Sequence, residues 1–550
     1  MSNWSFSCVK SCFLKPVILG VFFLSVFTPC LLAQKGPELQ LKKEKFARIS
    51  LQLNPPNFSL NNYLDSLENA SGLSLLGLSA DTVLSLETIS PDQNIAKIQQ
   101  IQFSDFQHTL SFNLNFNDIS ERDSILISDE GSSRIYQGNM TAKNIFSTDL
   151  SGEVLVKIID HYPFFTSPAT VNNIAIGRKG QATPANFGAS GGCQVNARCE
   201  PEDEFPDLRR SALRIIWRSR NLLGFCSGHL INNSSYDLKP YVITAEHCAL
   251  ASGSLRPSDL DFWMFYFNYE SPRCENPEEE GNLAADLMQG SRLVARSDDE
   301  GGEFGSDFLL LELTDSIPAA FDPYWAGWSR SNLAPERGLC YHHPSGDIKK
   351  VSTYEFSPTL GTFSGQSVNT HWILNWTATS NGHGTTEGGS SGSGLADQNG
   401  LLRGVLTGGS SSCQNLGLFD FYGTISYGWQ QNGNSPENQL APWLDPAGLG
   451  FLSLGGFEYG EEKPDFSLSS LQVIPNPVTD NQFELFGYQD FNSQSDFVIY
   501  DLMGQIIYQQ EFTAIPGETL NFRLPDFRSG VYLLSIEENN RRSLFKIWIL

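Results

Sequence analysis

The sequence predicts a mostly β protein built from several folded units, and three observations carry that reading. Runs of helical period are scarce, whereas short stretches of alternating apolar and polar residues recur along the chain. Turn formers are plentiful, with 48 Gly among 550 residues, and Phe, a strand former, occurs 38 times. The length exceeds one ordinary domain, and 40% hydrophobic residues supply enough apolar material for real cores.

In chain order, residues 1–33 read as a secretory signal. Lys10 and Lys15 precede the apolar run Pro16–Leu32, and Ala33 offers a small residue for cleavage before Gln34. No later stretch is long enough to span a bilayer, so no membrane anchor is expected after signal removal. Residues 34–187 contain no cysteine. Strand-like runs such as Gln107–Phe116 and Gly152–Ile159 alternate there with turns such as Asp129-Glu130-Gly131, the pattern of a β-rich unit. Its end, Gly177–Phe187, is polar and rich in Gly and Pro, as suits an exposed linker.

Residues 188–457 gather the remaining cysteines and most of the tryptophans. The acidic, Gly-rich segments Glu275–Gly281 and Ser297–Gly305 read as solvated loops. A short charged linker, 458–464, leads into a cysteine-free unit of alternating strands and turns, 465–550. The formal charge of −25 argues against nucleic acid as a partner. An exported chain permits disulfides, and seven cysteines beyond the signal leave at least one thiol unpaired.

Three segments of the middle unit carry chemistry. The first is Phe225-Cys226-Ser227-Gly228-His229 followed by Val242-Ile243-Thr244-Ala245-Glu246-His247-Cys248. An apolar strand ends in Thr-Ala-x-His-Cys, and a Cys226–Cys248 bridge would staple the His-bearing turn to the preceding strand. Closing such a loop is worth about 3 kcal/mol in the chain-entropy model. The staple would also fix the imidazole, as a general base requires. The second segment is Ser306-Asp307 at the mouth of the apolar run Phe308–Leu313, where the carboxylate can be buried against an imidazole and hold its tautomer. The third is Gly388-Gly389-Ser390-Ser391-Gly392-Ser393-Gly394. Its glycines let the chain turn sharply, push the Ser391 hydroxyl outward and aim the amides of Gly389 and Ser391 at one spot as an oxyanion hole. Taken in the order His247, Asp307, Ser391, the three segments predict a serine endopeptidase.

Residues 188–456 resemble the bacterial lysyl endopeptidases of the chymotrypsin clan. The resemblance rests on GASGGCQVNARC at 188–199, TAEHC at 244–248, SDFLLLEL at 306–313, WAGW at 325–328, HHP at 342–344, GSSGS at 389–393, GGSSSC at 408–413 and WLDPA at 443–447. It implies an all-β, chymotrypsin-like double β-barrel, preceded by a pro-region over 34–187. It also implies the disulfides Cys193–Cys413, Cys199–Cys274 and Cys226–Cys248, with Cys340 as a buried, inert thiol. No cofactor or metal is implied, and His342 and His343 are expected to be structural. Trypsin-like enzymes carry an Asp six residues before the nucleophile, where this chain has Thr385. The family instead places an Asp shortly before a Tyr-Gly pair, matched here by Asp420-Phe421-Tyr422-Gly423. The resemblance therefore implies cleavage after basic residues, Lys preferred, with Asp420, Thr407 and Gly408 binding substrate.

Three positions depart from the pattern. Phe363 and Thr407 stand where the family has a Trp and a His beside the catalytic imidazole. Ser390 stands where trypsin-like zymogens keep an Asp for their new N-terminal amine. Self-cleavage is expected after Lys179, with trimming toward Gly188. Residues 465–550 resemble a type IX secretion C-terminal sorting domain, through Ile474-Pro475-Asn476-Pro477, Ile499–Gly504, Ser529–Tyr532 and Lys546. That tail implies a β-sandwich, contact with the secretion machinery, and release to the surface or medium. Two rivals keep the fold: a catalytically inactive surface binding protein, and an active protease of different P1 preference. A peptide panel separates them.

Overall fold

The structure, a computed structural model, describes residues 187–550 apart from short stretches, together with the backbone of strands lying between residues 38 and 177. The expected signal, 1–33, and nearly all of the expected linker before Phe187 lie outside the described residues.

The middle of the chain forms two antiparallel sheet systems, one for each half. In the first, the strands follow the order Leu287–Gln289, Met264–Tyr266, Ala212–Ser219, Leu222–Leu230, Tyr241–Ala245, Phe308–Leu313, Ser291–Arg296. All nine residues of Leu222–Leu230 are buried, the polar Ser227 and His229 included, so this strand is covered on both faces. Gly228 is required within it, because a Cβ there would lie 2.9 Å from the Ile243 carbonyl oxygen. The second half runs Val195–Asn196, Lys350–Tyr354, Gly338–His342, Gly394–Asp397, Leu402–Gly409, Asp420–Thr424, His371–Leu374, Thr359–Gly361. One core cluster joins the halves, with Ile243, Phe308 and Leu310 from the first meeting Val405, Trp328 and Trp429 from the second. Three bridges, Cys193–Cys413, Cys199–Cys274 and Cys226–Cys248, are present, and Cys340 is a buried free thiol.

The N-terminal strands are β, in two sets. Seven form their own sheet, and four others continue the first sheet of the middle unit. The contact is made by Ser74–Ser85, which pairs antiparallel with Leu222–Phe225 at the outer end of the Leu222–Leu230 strand. The tail after residue 471 forms a single path of seven paired strands around Phe483, Phe497, Phe522, Leu534 and Ile547. Between the units, Phe457–Glu458 pairs with Tyr324–Trp325, and the Tyr459 hydroxyl donates to the Ile317 carbonyl. The start of the expected linker is thus fastened to the middle unit.

Candidate active site

The Tyr241–Ala245 strand delivers His247 on a single 3-10 turn, Glu246–Ala249, and the Cys226–Cys248 bridge ties that turn to the strand beside it. Asp307 sits immediately before Phe308–Leu313, with φ of +52°, a left-handed geometry that Asp tolerates better than most residues. Its carboxylate holds His247 twice. Oδ1 accepts from the His247 amide at 2.9 Å, and Oδ2 lies 2.6 Å from Nδ1. A carboxylate at Nδ1 places the proton there and leaves Nε2 bare as an acceptor. Burial disfavours the charged imidazole, but the charge and hydrogen bond of Asp307 outweigh it, and His247 is held above its ordinary pKa.

The loop carrying Ser391 is pressed onto this turn. The Ser227 amide, next to Cys226, donates to the Ser391 carbonyl at 2.7 Å. A Cβ on Gly392 would fall 2.7 Å from the Ala245 amide and 2.5 Å from the Ser227 carbonyl oxygen, so the close approach demands glycine and φ of +80° there. Within the loop, the amides of Ser390, Gly392 and Ser393 donate to Glu387, Leu406 and Ser390 carbonyls. Among the described residues, the amides of Gly389 and Ser391 have no protein acceptor. They are the two donors that the sequence assigns to an oxyanion hole.

Behind Asp307 lies a network that the sequence did not reveal. The Ser297–Gly305 segment, expected to be a solvated loop, is partly interior: Ser297, Asp299, Gly301 and Gly302 are buried. Asp299 accepts from the Asp307 amide and the Gly302 amide, both at 2.8 Å. Glu246 accepts from Ser297 Oγ at 2.8 Å and from the Asp299 amide at 3.2 Å, and faces Arg296 at 3.3 Å. The segment folds inward because two glycines at positive φ, Gly301 and Gly302, let its backbone cover His247 and Asp307. Burial, then the neighbouring Asp299 charge, pushes Glu246 up to about 8, and burial with the Asp307 charge raises Asp299 as well.

Asp420 is fully buried in a different setting. Its Oδ2 accepts from Trp376 Nε1 at 2.6 Å, Ser411 Oγ at 2.6 Å and Thr386 Oγ1 at 2.7 Å. Among the described residues, Oδ1 has only the Ser411 amide, at 3.4 Å. Burial raises the carboxyl, and the donors Ser411, Thr386 and Trp376 work against the rise. Thr407 Oγ1 bonds His371 Nε2 at 2.9 Å, and the Phe363 ring lies 5.6 Å from the His371 ring. His371 therefore occupies the space beside Phe363 and Thr407. Its place on an ordinary apolar strand, His371–Leu374, gave no signal in the sequence. Gly408 faces the Phe363 ring.

The remaining candidates are structural. His342 bonds Ser390 Oγ at 2.8 Å and Ser352 Oγ at 3.1 Å, and burial lowers it to about 3. Glu387 accepts from the Gly191 amide and from Ser345 Oγ. Burial pushes the Cys340 thiol up to about 12. Cys226, His247 and Cys248 cluster tightly, but their sulfurs are spent in the bridge and cannot ligate a metal.

Residues 187–423 match the family model described as "Lysyl endopeptidase, C-terminal domain", and residues 472–550 match "Secretion system C-terminal sorting domain". The lysyl endopeptidase of Pseudomonas aeruginosa is 29% identical over 256 residues, which cover 44% of this chain and 51% of that protein. The match thus spans about half the length of that relative. Among solved structures, a Glu endopeptidase in complex with MPD aligns at a TM-score of 0.26 and 17% identity, over 44% of this chain and 94% of its own. An HtrA-type protease with a decapeptide aligns at 0.27 and 12%, over 40% and 61%.

Proposed function

From the premise that residues 187–423 match a lysyl endopeptidase domain and residues 472–550 a secretion sorting domain, we propose that this chain is an exported serine endopeptidase that cleaves after lysine. The observation that carries the reading is the doubly bonded His247–Asp307 pair with the Ser391 loop packed against its turn. In this mechanism Ser391 Oγ attacks the scissile carbonyl carbon and passes its proton to His247 Nε2. Asp307 stabilises the imidazolium, and the Gly389 and Ser391 amides take the oxyanion. Collapse of the tetrahedral intermediate gives the amine its proton from His247 and leaves an acyl-enzyme, which water hydrolyses by the same steps.

The preference for lysine rests on the way Asp420 is already occupied. One of its oxygens holds three donors, which leaves a single oxygen, Oδ1, for a substrate cation. A guanidinium fork needs both oxygens, whereas an ammonium needs one. The tail supports export and contact with a secretion apparatus. Among the described residues no helix is long and apolar enough to cross a membrane.

Ser391→Ala tests the chemistry. The variant is expected to fold, to lose cleavage of a lysyl peptide, and to lose labelling by a serine-directed fluorophosphonate. Cleavage at the wild-type rate would remove Ser391 from the mechanism.

A further inference from the structure

The described protease body starts with Phe187 and Gly188, and the backbone nitrogen of Gly188 lies on a buried acid. It donates to Asp347 Oδ1 at 2.7 Å, and Asp347 is 1% exposed. Ser190 holds the other oxygen through its amide at 3.3 Å and its hydroxyl at 2.5 Å. The Ile348 amide donates to Oδ1 at 2.7 Å, and Lys350 Nζ stands 3.7 Å from Oδ2. A chain cut before Gly188 would carry its new ammonium at this nitrogen. We propose that Asp347 is the receiving site for the α-amine of a mature chain beginning at Gly188, and that the resulting ion pair braces the oxyanion loop.

The connection to the loop is short. Asp347 closes the turn Pro344–Gly346, in which the Asp347 amide donates to the Pro344 carbonyl at 2.9 Å and the Gly346 amide to the His343 carbonyl at 3.1 Å. That turn supports the residues before Ser391. The Ser345 amide donates to the Gly388 carbonyl at 2.6 Å. Ser227 Oγ accepts from the His343 amide and donates to the Gly389 carbonyl, both at 2.9 Å. A Cβ on Gly389 would meet the Gly346 amide at 2.9 Å, so the two segments touch. Downstream of Gly188, the Gly191 amide reaches Glu387 and Cys193 is bridged to Cys413. The new terminus is thereby tethered next to its acid.

Position 390, where trypsin-like chains hold the acid for this purpose, is Ser390 here, and its hydroxyl is taken by His342. The charge has moved to the turn beneath. In the uncut chain the same contact is a neutral amide bond. Cutting converts it to a charge-assisted one, stronger by roughly twofold. The charged groups facing Asp347 and its turn are Lys350, Arg214 through the Gly346 carbonyl, and Glu387 through Ser345. His343, whose Nδ1 bonds the Asp347 carbonyl, is kept neutral by burial and by Lys349. A free α-amine titrates near 7.7–8.0, and a carboxylate partner raises that value. The brace is therefore complete below pH about 8 and is lost as pH rises through the raised value.

This inference rests on the protease reading only for its activity arm. The test uses two full-length chains, each carrying the recognition sequence of an independent site-specific protease, placed to leave either Gly188 or Gly180 as the first residue, with termini verified by sequencing. The Gly188 form is expected to show kcat at least about tenfold higher with little change in KM, since an oxyanion donor acts on the transition state. It is also expected to melt several degrees higher, and both gains should fade at alkaline pH. Asp347→Asn, and selective acetylation of the Gly188 α-amine, should each erase the difference. Melting is also compared in a Ser391→Ala background, where no catalysis is involved. Equal melting temperatures of the two forms there overturn the ion pair. Unequal melting with equal kcat overturns the link to the oxyanion loop. If no form cleaves or takes fluorophosphonate, the protease reading fails, while the melting comparison still decides the amine site.

Discussion

Among the buried carboxylates of the middle unit, those behind His247 and the one at Asp420 are built on opposite principles. Behind His247, three acids, Glu246, Asp299 and Asp307, stand together, the innermost one holds the imidazole at Nδ1, and Arg296 stands against Glu246. At Asp420, a single acid is surrounded by neutral donors, Trp376, Thr386 and Ser411. In the first site the acids crowd one another, and burial with the neighbouring charges raises both outer carboxyls. In the second, donors satisfy one oxygen without cancelling the charge, and on the proposed function a substrate's cation completes it. The contrast suits the roles proposed for them: a catalytic base needs the countercharge for its imidazolium built in, whereas a specificity pocket needs its countercharge missing.

The largest way to break this comparison is Asp307→Asn. The amide would turn His247 to the wrong tautomer, and kcat is expected to fall about 10⁴-fold with the structure intact. A loss under tenfold would mean that another acid holds the ring. Next is Asp420→Asn, expected to lower kcat/KM for lysyl substrates on the order of 10³-fold, because the ammonium would be buried without its partner. Unchanged lysine preference on a peptide panel would move the specificity site elsewhere.

A smaller change sharpens the contrast. Thr386→Val removes one neutral donor from Asp420 and is expected to cost about tenfold in kcat/KM, near the worth of one hydrogen bond to a charged group. It should also raise relative cleavage after arginine, since Oδ2 becomes less occupied. A rise in lysine selectivity would contradict the single-oxygen argument.

The smallest effect concerns the triple-acid site. Glu246 sits near 8 in the fold, against an ordinary carboxyl value of 4.5. Between those values the native state keeps a proton that the unfolded chain releases, so this group's contribution to stability falls as pH rises through the window. Glu246→Gln should therefore flatten the decline in melting temperature between pH 5 and 8, by a few degrees at the upper end. An unchanged slope would place the proton elsewhere.

Residues that act through local chain geometry were legible in the sequence. Thr244–Cys248 fixes His247 by a strand end and a staple, and Gly388–Gly394 announces a tight turn around Ser391. Asp299 was not legible, because its role depends on Gly301 and Gly302 folding an acidic segment inward, while composition alone reads that segment as solvated. His371 was hidden for a related reason: its neighbours come from elsewhere in the chain, Phe363 from the bend after Thr359–Gly361 and Thr407 from the Leu402–Gly409 strand. The N-terminal strands were legible as β, but their sharing of a sheet with Leu222–Phe225 was not, since edge pairing leaves no periodic mark.

The three bridges span sequence separations of 22, 75 and 220 residues. Read as a schedule, those spans set an order of events. Cys226–Cys248 can close as soon as a hairpin's length of chain is oxidised, before the second half exists in folded form. Cys193–Cys413 must wait for nearly the whole protease body, and its tenfold longer span costs about 2 kcal/mol more in closure entropy if tried on an unfolded chain. The staple beside His247 is thus a tool of early folding. The clasp at Cys193 is a latch that shuts only on a finished domain, and in a chain cut before Gly188 it would keep the segment that follows from leaving.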